Sequence, residues 1–208
     1  MTSLYCGGVV SPVTCNTKRT TKNRCSMKTS HDQGNVLFKG QFLRLKKLGR
    51  WEYVERCRTT GIVAVLAITE KNEILLVEQF RPPVGKLVIE IPAGLAGDID
   101  GNEGEALSAA AKRELLEETG YQAQTMEVLI EGPSSAGISN EIITFFRAQG
   151  LTRISNGGGD DSEAIRVHLV SLTELESWLE TKRKNGCAID YKLYAALYFA
   201  NSQRPWRS

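Results

Sequence analysis

One helical stretch constrains this chain more than any other. Residues Glu105 to Thr119 have Ala- and Leu-rich helical spacing and stop at Gly120, a residue suited to the left-handed conformation that ends helices. On such a helix Glu117 lies about 60° from Glu114 on one side and Glu118 about 40° on the other, so three carboxylates share one face. The same arc carries Leu107, Ala110 and Ala111, small apolar side chains that belong against a sheet. A solvated acidic face paired with Lys112 and Arg113 is the competing reading, but the apolar arc puts the carboxylates along the edge of a buried face. Like charges at this spacing repel, so something positive belongs between them. Oxygen ligands without histidine or cysteine nearby favour a hard cation, Mg²⁺ or Mn²⁺, which also binds phosphate oxygens.

The rest of the chain supplies the sheets. Val36 to Lys47 and Trp51 to Arg58 alternate apolar and polar residues around a Gly49 turn, as a hairpin or half-exposed sheet does. Gly61 to Thr69 and Glu73 to Gln79 are β-branched and leucine-rich runs separated by a turn at Glu70-Lys71-Asn72. Leu87 to Ile91, Met126 to Glu131, Ile142 to Ala148 and Ala164 to Val170 read as further strands. Ser171-Leu-Thr-Glu174 is the pattern of a capping box for a helix reaching Lys184, and Asp190 is placed to cap a last helix. Strands flanking one central helix, closed by C-terminal helices, predict an α+β fold, an α/β/α sandwich with a mixed sheet and additional N-terminal antiparallel strands.

Length and charge set the outer limits. At 208 residues there is room for one ordinary domain and a short appendage. Residues 1–31 hold five basic residues and no acid, are rich in Ser and Thr, and carry Cys6, Cys15 and Cys25. Residues 1–35 therefore read as a disordered basic extension. Either residues 1–26 are an organellar transit peptide, or they lie upstream of a true start at Met27. The remainder divides into N-terminal strands, 36–58, and a main domain, 59–208. Lys+Arg 26 against Asp+Glu 24 is too balanced for a dedicated nucleic-acid binder. No apolar run approaches the roughly 20 residues of a membrane-spanning helix. Five irregularly spaced cysteines suit neither a zinc site nor a secreted disulfide framework, so Cys57 and Cys187 are expected as thiols in a reducing compartment. A cytoplasmic protein is the expectation, an organellar one if the leading segment is a transit peptide.

Glu105, seven residues, then Arg113-Glu-Leu-Leu-Glu-Glu-Thr-Gly-Tyr121 resembles the signature box of the Nudix hydrolases. The departure is upstream: the glycine expected six residues before Glu105 is Ile99 here, and Gly94 is its natural equivalent. Ten residues, 95–104, then stand where five are usual, an insertion expected to form a loop over Ala96 to Glu103. Gln79-Phe-Arg-Pro-Pro83, Glu90-Ile-Pro-Ala-Gly-Leu95, Arg50-Trp-Glu-Tyr-Val54, the Ser134 to Glu141 loop and Glu163-Ala-Ile-Arg-Val167 resemble the subgroup of ADP-ribose and nucleoside diphosphate sugar pyrophosphatases. The likeness covers residues 36 to 200.

This resemblance implies roles. Glu114, Glu117 and Glu118, with the Ala93 carbonyl, would bind Mg²⁺, with Mn²⁺ as a substitute, and Glu105 would pair with Arg113 behind them. Glu163 would be the general base, with Asp160 and Asp161 as alternatives. Arg81 would present its planar fork to phosphate or to the terminal ribose, Glu90 would meet sugar hydroxyls, and Trp51 would stack on the base. Glu52, Arg56, Gly94 and Leu95 complete the expected substrate contacts. The N-terminal strands would cross to a second copy, making the pocket a property of a homodimer. The implied reaction is hydrolysis of a nucleoside diphosphate sugar, ADP-ribose or a relative. A different preference (UDP-glucose, GDP-mannose or a dinucleoside polyphosphate) and a non-catalytic nucleotide-binding module remain open. His168, within a strand, is expected to be structural.

Overall fold

The longest apolar run, Ile62 to Ile68, becomes a strand buried on both faces, and the sheets are arranged around it. In the computed structural model, which describes residues 34–159 and 164–201, this strand is β4 (Gly61–Ala67). Val63, Val65 and Ala67 point to one side and Ala64 and Leu66 to the other, none more than 1% exposed. Three strands precede it: β1 (Asn35–Lys39), β2 (Leu43–Leu48) and β3 (Trp51–Arg56) form an antiparallel sheet of their own. The single strand expected over Val36 to Lys47 is thus two, because the chain turns at Gly40, whose amide bonds the Leu43 carbonyl at 2.8 Å.

After β4 come β5 (Glu73–Arg81), β6 (Lys86–Glu90) and β7 (Ala93–Ala96), then α1 (Leu107–Thr119). A long hairpin follows, β8 (Tyr121–Pro133) with β9 (Ile142–Arg153). The chain closes with β10 (Arg166–Ser171), α2 (Leu175–Lys184), β11 (Ala188–Ile189) and α3 (Tyr191–Asn201). One four-stranded sheet runs β7-β4-β9-β8 with β4 and β9 parallel, and the other runs β10-β5-β6-β11 with β11 and β6 parallel. Both are mixed, as expected. Ala110, Ala111 and Leu115 of α1 pack with Val63 and Val65 on one face, while Leu179 of α2 and Leu193, Ala196 and Phe199 of α3 pack with Leu66, Ile74 and Ile89 on the other. The arrangement is α/β/α.

Four local expectations are corrected. Helix α1 starts at Leu107 rather than Glu105, with Ala106 at its N-cap and no side-chain cap, so Glu105 is free of helical geometry. The capping box at Ser171 is not formed: α2 has Glu174 at its N-cap, and the Ser171 hydroxyl instead accepts the Thr173 amide in a local turn. Strand β8 begins five residues before Met126, because its polar outer face conceals the alternation. Strand β10 begins at Arg166 rather than Ala164. Asp190 does cap α3, its Oδ1 accepting the Lys192 amide at 2.8 Å. Cys57 and Cys187 are both free and partly buried. No helix among the described residues is long and apolar enough to cross a membrane.

Candidate active site

Strand β7 lies antiparallel to β4 and packs against α1, so the backbone of Ala93-Gly94-Leu95 faces the carboxylates of the helix. The approach is close enough to require glycine: a Cβ on Gly94 would fall 2.0 Å from the Glu114 carboxyl carbon. Next to it, Glu118 is 4% exposed and its Oε2 accepts the Ala93 amide at 3.0 Å. The helix therefore presents two carboxylates into a fold of backbone, and Glu117, half exposed, stands at the mouth.

Arg113 is the positive charge among these acids. Its Nε and Nη2 each donate to one oxygen of Glu105 at 3.0 Å, and Nη2 also reaches the Leu95 carbonyl at 2.8 Å. Its Nη1 bridges Glu114 Oε1 at 2.9 Å and Glu117 Oε2 at 3.0 Å. The two hydrogen bonds from Arg113 hold the Glu105 carboxyl below the usual carboxylate range. Glu114 goes the other way: burial outweighs its single bond to Arg113 and pushes it up to about 7. With five acceptor oxygens around it, the guanidinium is held still more firmly in its charged form.

These groups form one wall of a cleft of about 580 Å³. The same cleft is lined by Arg56 and Arg81, each already bonded to an acid: Arg56 Nε donates to Glu141 Oε1 at 2.6 Å, and Arg81 Nε to Glu90 Oε2 at 2.7 Å. Burial raises the Glu90 carboxyl, and Arg81 and Lys192 partly offset that rise. Of the residues expected at the site, Arg56, Arg81, Glu90, Ala93, Gly94, Leu95, Arg113, Glu114, Glu117 and Glu118 all line this cleft. Glu105 lies directly behind Arg113. Trp51 and Glu52 do not line it: Trp51 is 56% exposed and Glu52 faces Lys47 across the N-terminal sheet. Glu163, with Asp160 and Asp161, lies outside the described residues.

Sequence reasoning missed eight residues of the cleft, among them Glu141, Ser134, Lys192 and Asp98. Glu141 and Ser134 close the ends of the loop between β8 and β9, where Ser134 Oγ donates to Glu141 Oε2 at 2.9 Å. The position of Glu141 at the end of a loop already noted was its only signal. Lys192, on the first turn of α3, contacts Asp190 and lies 4.0 Å from Glu90 Oε1. Asp98, from the insertion, stands 3.7 Å from Arg113 Nη2. Nothing in the sequence around Lys192 or Asp98 marks them.

The donor chemistry fits a hard divalent cation: three carboxylates and a backbone strand, all oxygen, with Glu118 and Glu114 withdrawn from water. The arrangement is not a closed cage. No three His, Cys, Asp or Glu side chains among the described residues converge tightly enough to hold an ion as they stand, since Arg113 fills the gap between Glu114 and Glu117. A cation would compete with the guanidinium for both.

Comparison with known proteins shows the family. The family described as NUDIX domain matches residues 58–197, and the chain belongs to the Nudix family. Among its relatives, a methanol dehydrogenase activator of Bacillus methanolicus is 39% identical over 142 residues, covering 66% of this chain and 74% of that protein. An ADP-ribose pyrophosphatase of Bacillus subtilis (strain 168) is 35% identical over 136 residues, covering 63% and 71%. A solved structure described as an ADP compounds hydrolase shares the fold, with a TM-score of 0.55 at 20% identity over 70% of this chain and 80% of that one.

Proposed function

We propose that this protein is a Mg²⁺-dependent hydrolase that cleaves the diphosphate of ADP-ribose or a related nucleoside diphosphate sugar, releasing a nucleoside monophosphate and a sugar phosphate. The observation that carries the reading is the cleft itself, whose lining combines the carboxylates of Glu114, Glu117 and Glu118 with the guanidinium groups of Arg56 and Arg81. The acids suit cations, and the forked guanidinium groups suit phosphate oxygens. Relatives named ADP-ribose pyrophosphatase and, in Mus musculus, ADP-sugar pyrophosphatase support the substrate class.

In this reading Glu114, Glu117, Glu118 and the Ala93 carbonyl hold the divalent cation, with Mn²⁺ as a substitute for Mg²⁺. When bound, it supplies charge neutralisation for the diphosphate and a more acidic water. The chain's own residues do the rest. Arg81 and Arg56 exchange an internal carboxylate for substrate oxygens, Glu90 accepts from sugar hydroxyls, and Gly94 and Leu95 line the floor. Glu163 takes the proton from the attacking water. Trp51 and Glu52, remote from the cleft of their own chain, serve the cleft of a second copy in a homodimer.

The test is a Mg²⁺-dependent hydrolysis screen against ADP-ribose, ADP-glucose, UDP-glucose and GDP-mannose, with products separated by chromatography. AMP and ribose 5-phosphate as preferred products are the expected result. No cleavage of any of them, with Mg²⁺ or Mn²⁺, overturns the proposal in favour of another substrate, such as a dinucleoside polyphosphate, or of a nucleotide-binding module. A Nudix hydrolase of other preference is the second reading, favoured by the insertion that brings Asp98 to the cleft and by a relative named GDP-mannose pyrophosphatase in Yersinia enterocolitica, 30% identical over 150 residues. Faster turnover of GDP-mannose than of ADP-ribose would establish it.

A further inference from the structure

Gly157-Gly158-Gly159 reads in sequence as a flexible stretch, and the structure uses it otherwise. The segment leaves β9 and closes over the C-terminal end of α1. There the Gly120 carbonyl accepts the amides of Ile154 at 2.8 Å and Ser155 at 3.1 Å. The Gly158 amide donates to the Glu118 carbonyl at 2.9 Å, and the Gly159 amide to the Glu117 carbonyl at 3.1 Å. Carbonyls in the last turn of a helix have no partner within it and that turn frays unless something else bonds them. Here the partners are supplied to the two residues whose side chains stand at the cleft.

The fit is tight on both sides. Gly120 has φ +77° and a Cβ there would fall 2.3 Å from the Ser155 carbonyl oxygen; Gly157 has φ +66° and its Cβ would fall 2.3 Å from the Thr119 carbonyl carbon and 2.6 Å from the Glu118 oxygen. Each glycine occupies a conformation and a space closed to other residues. The Gly157 amide is further tied to Ser155 Oγ at 3.3 Å.

We propose that residues 154–159 are a clasp that keeps the last turn of α1 helical and so positions Glu117 and Glu118 as cation ligands, with Gly157 as its positioning residue. The proposal rests on the reading of those carboxylates as divalent-cation ligands. Ligand carboxylates must be held to within about 0.5 Å of their working geometry, and a frayed turn displaces them by more than that. The clasp meets the helix through backbone bonds and is braced internally by the Ser155 hydroxyl, so the motif of the helix gives no sign of it.

Mn²⁺ binding to the full-length protein, followed by the electron paramagnetic resonance signal of the free ion, tests this without turnover. Gly157→Ala is expected to stay folded and to bind Mn²⁺ about tenfold more weakly, the size of effect typical of groups that orient metal ligands. Its hydrolysis rate should recover toward wild type at high Mg²⁺. Gly186→Ala, at φ +89° with open space around it, carries the same backbone conflict away from the clasp and should bind Mn²⁺ normally. Wild-type affinity in a folded Gly157→Ala protein overturns the proposal. If that variant does not fold, Ser155→Ala decides: at least about twofold weaker binding supports the clasp, and unchanged binding overturns it. If Glu118→Gln loses Mn²⁺ while the clasp variants do not, the clasp alone is wrong. If wild type takes up no Mn²⁺, the cation reading falls and the clasp with it.

Discussion

Two oxygens of Glu105, one each of Glu114 and Glu117, and the Leu95 carbonyl meet on the single guanidinium of Arg113. Lysine offers a point charge where this geometry needs a planar fork, so Arg113→Lys should cost about 2 kcal/mol of stability, read by urea denaturation, because the buried Glu105 loses its paired bonds. An unchanged midpoint would mean that the network holds nothing together. Glu118 is buried in the fold of β7 against α1, and Glu118→Gln should lose turnover by about a hundredfold or more while circular dichroism stays native. Near-normal turnover would remove it from the ligand set. Glu114, raised to about 7 by burial, predicts a pH dependence whose sign is fixed. A proton and a cation compete for the same carboxylate, so below pH 7 each unit of acid should weaken Mn²⁺ binding about tenfold, and above pH 7 the affinity should level off. An affinity flat between pH 5.5 and 7.5 would contradict a ligand role for Glu114.

At the scale of elements, periodicity determined what could be read in advance. Strand β4 was legible as an unbroken apolar run, and α1 as an arc of Leu107, Ala110 and Ala111, since each buries a face that its repeat exposes in the sequence. Strand β7 was not legible, being four residues that include Gly94, and neither was the outer half of β8, where the polar face hides the period. The carboxylate wall could be read because its residues lie within one helix. The rest of the lining was legible only in part: Arg56, Arg81 and Glu90 came from the resemblance, whereas Glu141, 85 residues from its partner Arg56, and Lys192, which arrives on the last helix, follow from no local pattern. The Ser171 pattern resembles a cap yet forms none, so Ser171→Ala should change stability by less than about 0.5 kcal/mol, whereas loss of a working cap costs about 1 kcal/mol. A loss near 1 kcal/mol in thermal or chemical unfolding would show that the hydroxyl supports α2 after all.

At the scale of the whole molecule, the N-terminal sheet is left with apolar side chains in water. Phe38 is 67% exposed, Phe42 71% and Trp51 56%, with Val36 and Leu37 each half exposed. Large apolar side chains exposed on one small sheet mark an interaction face, and a second copy would account for Trp51 and Glu52 lying outside the lining of their own cleft. Light scattering should give twice the 23.0 kDa chain mass, and the double variant Phe38→Glu, Phe42→Glu should give the single mass. The kinetic consequence separates two meanings of the dimer. If Trp51 stacks on a base in the partner's cleft, the dissociated variant and Trp51→Ala should both raise KM about tenfold, the equivalent of the 1–3 kcal/mol typical of such stacking, with kcat nearly unchanged. A monomer with wild-type KM would confine substrate recognition to the cleft of one chain, Arg56 of β3 included, and would leave Trp51 no part in it.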